Sequence, residues 1–191
     1  ADTAGRPAGS ITLTSAGTLT TTTLTASGSH GNGADQPGGQ AGAINVTSTG
    51  GNVRVGAISA IGGNALAGNA NGGNGGSVSL DAGGATPTIT HQTVTTTGGN
   101  RIGSGTAGAG GNISVADASL LSAATTITAR GGNAGAGTGG HVTFGDTVDS
   151  SGANRTLAVN TNGITTFTGA VGGTFALTSL ATDAPGSVRV G

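Results

Sequence analysis

The clearest pattern along the chain is a glycine followed by a short run in which apolar and polar residues alternate. It occurs five times, and its first apolar residues are Ile11, Ile44, Val78, Ile113 and Val142, at steps of 33, 34, 35 and 29 residues. Alternation is the period of a β-strand. Self-similarity at this spacing is typical of stacked repeats, in which each unit buries its apolar face only against its neighbours. The pattern therefore predicts a long, thin molecule rather than a globular domain with a pocket.

Each repeat has a block of strand-like pieces and a tract rich in glycine and asparagine. The tracts are residues 28–42, 62–76, 98–112 and 131–140. Three strands of about five residues with their turns fill one coil of a solenoid. We therefore predict an all-β fold, a right-handed parallel β-helix (β-solenoid), with the tracts as loops inserted at the same corner of successive coils.

The repeat changes character near residue 150. Residues 1–150 are expected to form coils with glycine-rich insertions and a repeat of about 33 residues. In residues 151–191 the tracts vanish and strand-like pieces follow more closely, so we expect the same solenoid to continue without insertions. Phe144, Phe167 and Phe175 are expected to fill its interior.

Two further expectations follow from the repeat phase. Asn64, Asn100 and Asn133 each follow Gly-Gly, so stacked coils would align them into a hydrogen-bonded ladder. Residues 186–190 repeat the phase of residues 9–13. We therefore expect the partner at an end to be either neighbouring repeats of a longer chain or another copy stacked end to end.

Composition narrows the possible partners. The chain has no Lys, Glu, Cys, Met, Trp or Tyr, its charged residues make up 7%, and its formal net charge is −1. The six arginines are spread along the chain and form no basic stripe, which argues against nucleic acid binding. No apolar stretch approaches the ~18–20 residues of a membrane span. The absence of cysteine excludes disulfides and thiolate metal sites.

Candidate metal ligands are sparse. Residues 31–35 (Gly-Asn-Gly-Ala-Asp) match the core of the calcium-binding nonapeptide, but that motif works in tandem and occurs once here. Asp81, Asp117 and Asp146 recur after the first strand of successive repeats, where Asx-type turns are the favoured interpretation over a row of metal ligands. We predict neither a metal site nor a cofactor.

Signs of catalysis are equally weak. Residues 103–108 and 135–140 fit G-x-G-x-x-G, but a dinucleotide site also needs a preceding strand, a following helix and a later acid. His30, His91 and His141 fall at different phases and do not converge. We predict that the chain is not an enzyme and has no catalytic residues; a glycan-cleaving β-helix would need Asp and Arg clustered on one face.

Surface motifs leave two further interpretations open. Asn45, Asn112 and Asn154 begin glycosylation sequons, which are unsurprising in a chain rich in Asn, Ser and Thr. Thr-x-Thr pieces, such as residues 12–14, 20–22 and 93–95, would form a flat outward ladder suited to ordered water. Because no Thr-x-Thr position recurs in every repeat, cross-strand threonine pairing is favoured over ice binding.

The stretch 160–173 (Asn-Thr-Asn-Gly-Ile-Thr-Thr-Phe-Thr-Gly-Ala-Val-Gly-Gly), together with the Gly-Gly-Asn tracts and residues 147–150, resembles the repeats of large secreted bacterial proteins of the filamentous-haemagglutinin-like group. The resemblance covers most of the chain. A weaker likeness is to mycobacterial proteins with Gly-Gly-x arrays, which lack the strand blocks seen here. The first resemblance implies a right-handed parallel β-helix, an extracellular or cell-surface location, and a role in adhesion or an extracellular matrix.

The function expected from the sequence is therefore structural: a segment of an extracellular fibre or adhesin stalk, with end-to-end self-assembly into filaments as one form. The alternative is a carbohydrate- or ice-binding β-solenoid module that uses one flat polar face. Glycans or a host or abiotic surface would then be partners in addition to the chain itself.

Overall fold

The chain winds into a β-solenoid in which successive coils contribute strands to three parallel sheets. This computed structural model describes residues 2–183 and 185–191. The first sheet contains β1 (Ile11–Ser15), β4 (Ile44–Ser48), β7 (Val78–Asp81), β10 (Ile113–Val115), β13 (Val142–Phe144), β16 (Ile164–Phe167) and β18 (Ser187–Val190). The second contains β2 (Leu19–Thr20), β5 (Val53–Arg54), β8 (Thr88–Thr90), β11 (Ala118–Leu121) and β14 (Val148–Ser150). The third contains β3 (Leu24–Thr25), β6 (Ile58–Ser59), β9 (Val94–Thr95), β12 (Thr125–Thr128), β15 (Thr156–Asn160) and β17 (Ser179–Thr182).

The predicted repeat phase is confirmed by the pairing of the first sheet. Ile11 pairs with Ile44, Ile44 with Val78, Val78 with Ile113, and Ile113 with Val142. From Ile44 onward these side chains are buried. Because successive side chains of a strand point to opposite faces, the alternating residues point outward and remain polar. The all-β solenoid predicted from the sequence is thus the observed fold.

The coils become shorter after Ile113. A coil has 35 residues between the paired residues Val78 and Ile113, and 29 residues between Ile113 and Val142. Val142 then pairs with Thr165, 23 residues later, and Thr165 pairs with Val188. The inward position of β16 is therefore held by a buried threonine, and its apolar neighbour Ile164 is only partly buried.

Two of the three phenylalanines occupy the interior. The rings of Phe144 and Phe167 stack in adjacent coils, with centroids 5.1 Å apart and planes inclined by 3°. The expectation was wrong for Phe175, whose relative exposure is 55%. Phe175 lies outside the strands, and its backbone is fixed by Asp149, whose Oδ1 accepts the N–H groups of Thr174 and Phe175 at 3.0 Å each.

The four glycine-rich tracts stack on one another between the third and first sheets, and we call this stack the glycine fin. The only helix among the described residues, α1 (Gly132–Gly135), lies in its last layer. Each tract leaves the third sheet and returns to the first, and backbone hydrogen bonds join the two limbs in a zigzag along the axis. Gly63 N donates to Gly39 O at 2.8 Å, Gly73 N to Gly63 O at 2.8 Å, and Gly99 N to Gly73 O at 2.7 Å. The tracts therefore lie at the same corner of successive coils, as predicted, and form a hydrogen-bonded layer of the solenoid.

Direct backbone contact explains the glycines of the fin. A Cβ on Gly73 would lie 2.0 Å from Gly39 O, and one on Gly99 would lie 1.9 Å from Gly63 O. Real Cβ atoms do not approach backbone oxygens this closely. Any other residue at these positions would push the two limbs or two coils apart.

The predicted asparagine ladder is present. In it, an asparagine side chain accepts a hydrogen bond from the backbone N–H of the asparagine in the next coil. Asn64 Oδ1 accepts the N–H of Asn100 at 2.8 Å, and Asn100 Oδ1 accepts that of Asn133 at 2.5 Å. His30 takes the same role one coil earlier, because its Nδ1 accepts the N–H of Asn64 at 2.8 Å. These side chains satisfy backbone donors at the turn where the regular coil-to-coil ladder is interrupted.

Candidate functional site

A groove lies in the solenoid wall at the corner between the second and third sheets. Its volume is about 320 Å³. It is lined by Thr21, Thr22, Thr23, Arg54, Val55, Gly56, Ala57, Thr90 and Gln92, which belong to three successive coils. We call it the Arg54 groove.

Gly56 shapes the floor of the Arg54 groove. Its N–H donates to Thr22 O at 2.7 Å, and an added Cβ would lie 2.5 Å from the same oxygen. The second coil is therefore drawn against the first at the corner that follows β5. A glycine here both permits the close approach and leaves an open depression above it.

Arg54 supplies the charge of this groove. In register, it lies between Thr20 of the preceding coil and Thr90 of the next. Its side chain is exposed, and no described residue forms an ion pair or a hydrogen bond with its guanidinium. A planar guanidinium flanked by hydroxyl and amide groups is complementary to a polar ligand that carries carboxylate or sulfate groups.

Two outer sheet faces carry rows of polar side chains. On the first sheet the outward row is Thr12, Asn45, Ser79, Ser114, Thr143 and Thr166. On the third sheet it is Thr25, Ser59, Thr95, Thr128 and Asn160. The second outward row of the first sheet passes from Thr47 to Asp81, so threonine does not occupy one position in every coil.

Three of the four aspartates weighed as metal ligands cap backbone groups, whereas Asp81 is exposed at the end of β7. Asp35 Oδ1 accepts the N–H of Asn69 at 2.5 Å, and Asp117 Oδ2 accepts that of Ala82 at 2.8 Å, each across adjacent coils. Asp146 Oδ1 accepts the N–H of the next residue, Thr147, at 2.7 Å. Across the described part of the chain, three or more metal-ligating side chains do not come together anywhere.

The three histidines lie in separate places. His141 repeats the role of His30, since its Nδ1 accepts the N–H of Ile164 at 3.0 Å. His91 lies inside the solenoid with no exposed surface, and its Nε2 is 2.9 Å from Ser119 Oγ. Burial lowers the pKa of His91 below its ordinary value, which favours the neutral imidazole in the folded chain.

The contact between His91 and Ser119 was not expected from the sequence. The other ring nitrogen of His91, Nδ1, is 3.1 Å from the carbonyl oxygen of Gln92. Although a serine beside a histidine is the start of a nucleophilic site, both side chains are fully enclosed by the core. The pair therefore links two coils inside the solenoid and offers no surface to a substrate.

The remaining sequence motifs fall in ordinary structural positions. Asn45 lies within β4, and Asn112 directly precedes β10, where its Oδ1 accepts the N–H of His141 at 2.8 Å. Asn154 is exposed in the turn before β15. Strand β10 follows the G-x-G-x-x-G match at residues 103–108, and β13 follows the match at 135–140, so neither opens a helix as a dinucleotide site requires.

At the last coil the inward-facing side chains are exposed. Val188, Val190 and Leu180 line a concavity of about 510 Å³. The relative exposure of Val190 reaches 77%. The register places Val188 in phase with Ile11 of β1, because the pairs of the first sheet run without interruption between them.

Comparison with known proteins found no matching family model and no significant similarity to curated proteins or solved structures. In the residues that the structure describes, no helix is long and apolar enough to cross a membrane.

Proposed function

We propose that the chain is a structural segment of an extracellular or cell-surface fibre, such as the stalk of an adhesin of the filamentous-haemagglutinin-like kind. The observation that carries this proposal is the continuity of hydrogen bonding along the axis. The three sheets and the glycine fin are all bonded from coil to coil. A load along the axis is thereby shared by several backbone ladders at once.

The core supports a mechanical role in the same way. It consists mainly of valine, isoleucine, leucine and alanine from successive coils, and one stacked pair of phenylalanines. Each coil buries its apolar side chains against the next, so stability grows with the number of coils. Such a molecule is stiff without disulfides, which this cysteine-free chain does not form.

End-to-end assembly is the form in which this segment would build a filament by itself. Val188 is in phase with Ile11, and the apolar side chains of the last coil are exposed. A second copy that added its β1 to β18 would continue the first sheet and cover these side chains. In the other form of the proposal, neighbouring repeats of a longer chain occupy the same place.

Electron microscopy of the 191-residue chain over a range of concentrations distinguishes these forms. Filaments that disappear in a Val190→Asp variant, with unchanged circular dichroism, would support end-to-end assembly. Dispersed rods at every concentration would contradict assembly and leave the stalk-segment form.

Force spectroscopy tests the structural role itself. We expect the chain to resist extension and to release its length in several coil-sized steps, because each coil is held mainly by its neighbours. Extension at negligible force, or compact globules in the micrographs, would contradict the structural function.

A second candidate function, binding of an acidic carbohydrate, is favoured by the unpaired guanidinium in the Arg54 groove. Titration calorimetry with an acidic and a neutral oligosaccharide of equal length tests it. Binding of the acidic sugar that is lost in Arg54→Gln, and retained in the control Arg189→Gln, would support the groove. Equal binding by both variants, or no binding at all, would contradict this second candidate function.

A further inference from the structure

Four Asn-Gly dipeptides occur in the chain, and one of them differs from the others in its hydrogen bonding. They are Asn32-Gly33, Asn71-Gly72, Asn74-Gly75 and Asn162-Gly163. An Asn-Gly pair is chemically reactive because the backbone nitrogen of the glycine can attack the asparagine side chain, and glycine has no Cβ to hinder the approach. Reaction requires that this nitrogen is free to move towards the asparagine Cγ.

In three of the pairs the attacking nitrogen is held by a hydrogen bond. Gly72 N donates to Thr106 O at 3.0 Å, and Gly75 N donates to Ala109 O at 2.8 Å, both across adjacent coils of the glycine fin. Gly163 N donates to Thr161 Oγ1 at 2.8 Å. Each nitrogen must leave its partner before it can react.

The carboxamides of the same asparagines are held as well. Asn71 Oδ1 accepts the N–H of Thr106 at 2.7 Å, and Asn74 Oδ1 accepts that of Ala109 at 2.9 Å. Asn162 Oδ1 accepts the N–H of Gly131 at 3.2 Å, and its Nδ2 donates to Gly137 O at 2.8 Å. Both reacting groups of these pairs are therefore held by hydrogen bonds, all of them to neighbouring coils except that of Gly163 N.

Asn32-Gly33 lacks both restraints. The backbone of Asn32 pairs with Thr3 through two hydrogen bonds, of 2.7 and 2.8 Å. Its side chain is exposed, and neither that carboxamide nor Gly33 N has a hydrogen-bond partner among residues 2–183 and 185–191. Gly33 has a φ of +106°, so this dipeptide lies in a turn outside the regular ladder.

We propose that Asn32 is a site of spontaneous, selective deamidation in the folded chain. Gly33 N gives up its proton to solvent and forms a bond with Asn32 Cγ, while the Cγ–Nδ2 bond breaks and ammonia leaves. Water then opens the cyclic imide. Cleavage of its bond from Gly33 N to Cγ gives aspartate, and cleavage of the bond to the main-chain carbonyl carbon gives isoaspartate. No oxidant or enzyme is needed.

The product changes the edge of the glycine fin. Each event adds one negative charge to a chain of formal net charge −1. The new carboxylate lies in the same turn as Asp35, and Asp2 is adjacent, since a Cβ on Gly33 would lie 2.3 Å from its Cγ. An isoaspartate also lengthens the backbone at the residue that pairs with Thr3.

Tryptic mapping of the aged, folded chain tests the proposal, because cleavage after arginine separates the sites. Asn32 lies in the peptide that ends at Arg54, Asn71 and Asn74 in residues 55–101, and Asn162 in residues 156–189. Incubation in water enriched in heavy oxygen labels the product at the modified residue. We expect Asn32 to acquire the label at least about tenfold faster than the other three, because their amides react only after local opening.

Two controls sharpen the result. In denaturant the four sites should react at similar rates, which shows that the selectivity comes from the fold. Asn32→Gln should abolish labelling in its peptide, because glutamine forms the larger cyclic imide much more slowly. If Asn71 or Asn74 is labelled as fast as Asn32 in the folded chain, the proposal is overturned.

Discussion

A Cβ atom on Gly76 would lie 2.0 Å from the carbonyl oxygen of Gly42 in the preceding coil. A glycine occupies the equivalent position in every coil, two residues before the first inward side chain of each strand of the first sheet. We call these glycines a column. Its members are Gly9, Gly42, Gly76, Gly111, Gly140, Gly163 and Gly186. The glycine that opens each repeat is therefore explained by the distance between coils at the base of the glycine fin.

Replacing Gly76 by alanine should destabilise the solenoid strongly. The added methyl group meets backbone, which cannot rotate away, so we expect a loss of at least about 1–3 kcal/mol. The matched control is Gly9→Ala, because Gly9 occupies the same column and has nothing within 4 Å of its added Cβ. Denaturant unfolding followed by circular dichroism compares them, and equal stability of the two variants would contradict the close-contact explanation.

The sequence carried enough information to place the strands of the long coils. Three signals predict an inward position at Val78: a preceding glycine, an alternating apolar run and a fixed repeat length. Its observed partners, Ile44 and Ile113, are those that the spacing predicts. The short coils were harder. At Thr165 the inward position is polar, so hydrophobic alternation alone does not identify which residues of β16 face inward.

The glycine fin and the buried histidine show what a single sequence does not encode locally. Glycine and asparagine favour turns, and nothing in that preference distinguishes a loop from stacked limbs in backbone contact. His91 was assigned no role because its partner, Ser119, lies in the next coil. The Arg54 groove likewise joins Thr22, Gly56 and Gln92 from three coils, a conjunction that follows only once the register is known.

Truncation of Phe144 to alanine should cost about 3–5 kcal/mol, since the ring is fully buried and its stacking partner Phe167 would face a cavity. Phe175→Ala is the matched control, because the same atoms are removed from a half-exposed position. We expect the control to shift the free energy of unfolding by less than about 0.5 kcal/mol. Similar losses in both variants would mean that the stacked pair does not contribute specially to the core.

The asparagine ladder predicts a graded response at Asn100. Asn100→Ala removes the acceptor for the N–H of Asn133, and we expect the free energy of unfolding to fall by about 1 kcal/mol. Asn100→Asp keeps an oxygen at that position and should recover most of the loss. Asn154→Ala, at an exposed turn, serves as the control for replacing an asparagine. Thermal melts of the three variants provide the comparison, and a harmless Asn100→Ala would argue that water replaces the ladder at no cost.

Burial of His91 predicts that the solenoid loses stability as the pH falls through 6.5. Desolvation lowers the pKa of His91 in the folded chain below its ordinary value of 6.5, whereas the unfolded chain titrates near that value. Between the two values the unfolded state binds a proton that the folded state does not. The stabilisation is therefore complete above pH 6.5 and decreases towards the lower, folded-state pKa. Denaturant midpoints measured between about pH 8 and pH 5 follow this loss of stability.

The other two histidines must be separated from this effect. His30 and His141 each accept a backbone N–H at Nδ1, from Asn64 and Ile164 respectively. The double variant His30→Asn/His141→Asn keeps an acceptor at both positions, as Asn64 and Asn112 do in neighbouring coils. In this background we expect the pH dependence to persist, and to disappear when His91→Leu and Ser119→Ala are added together. A pH slope that survives this last change would show that it originates elsewhere than in the buried pair.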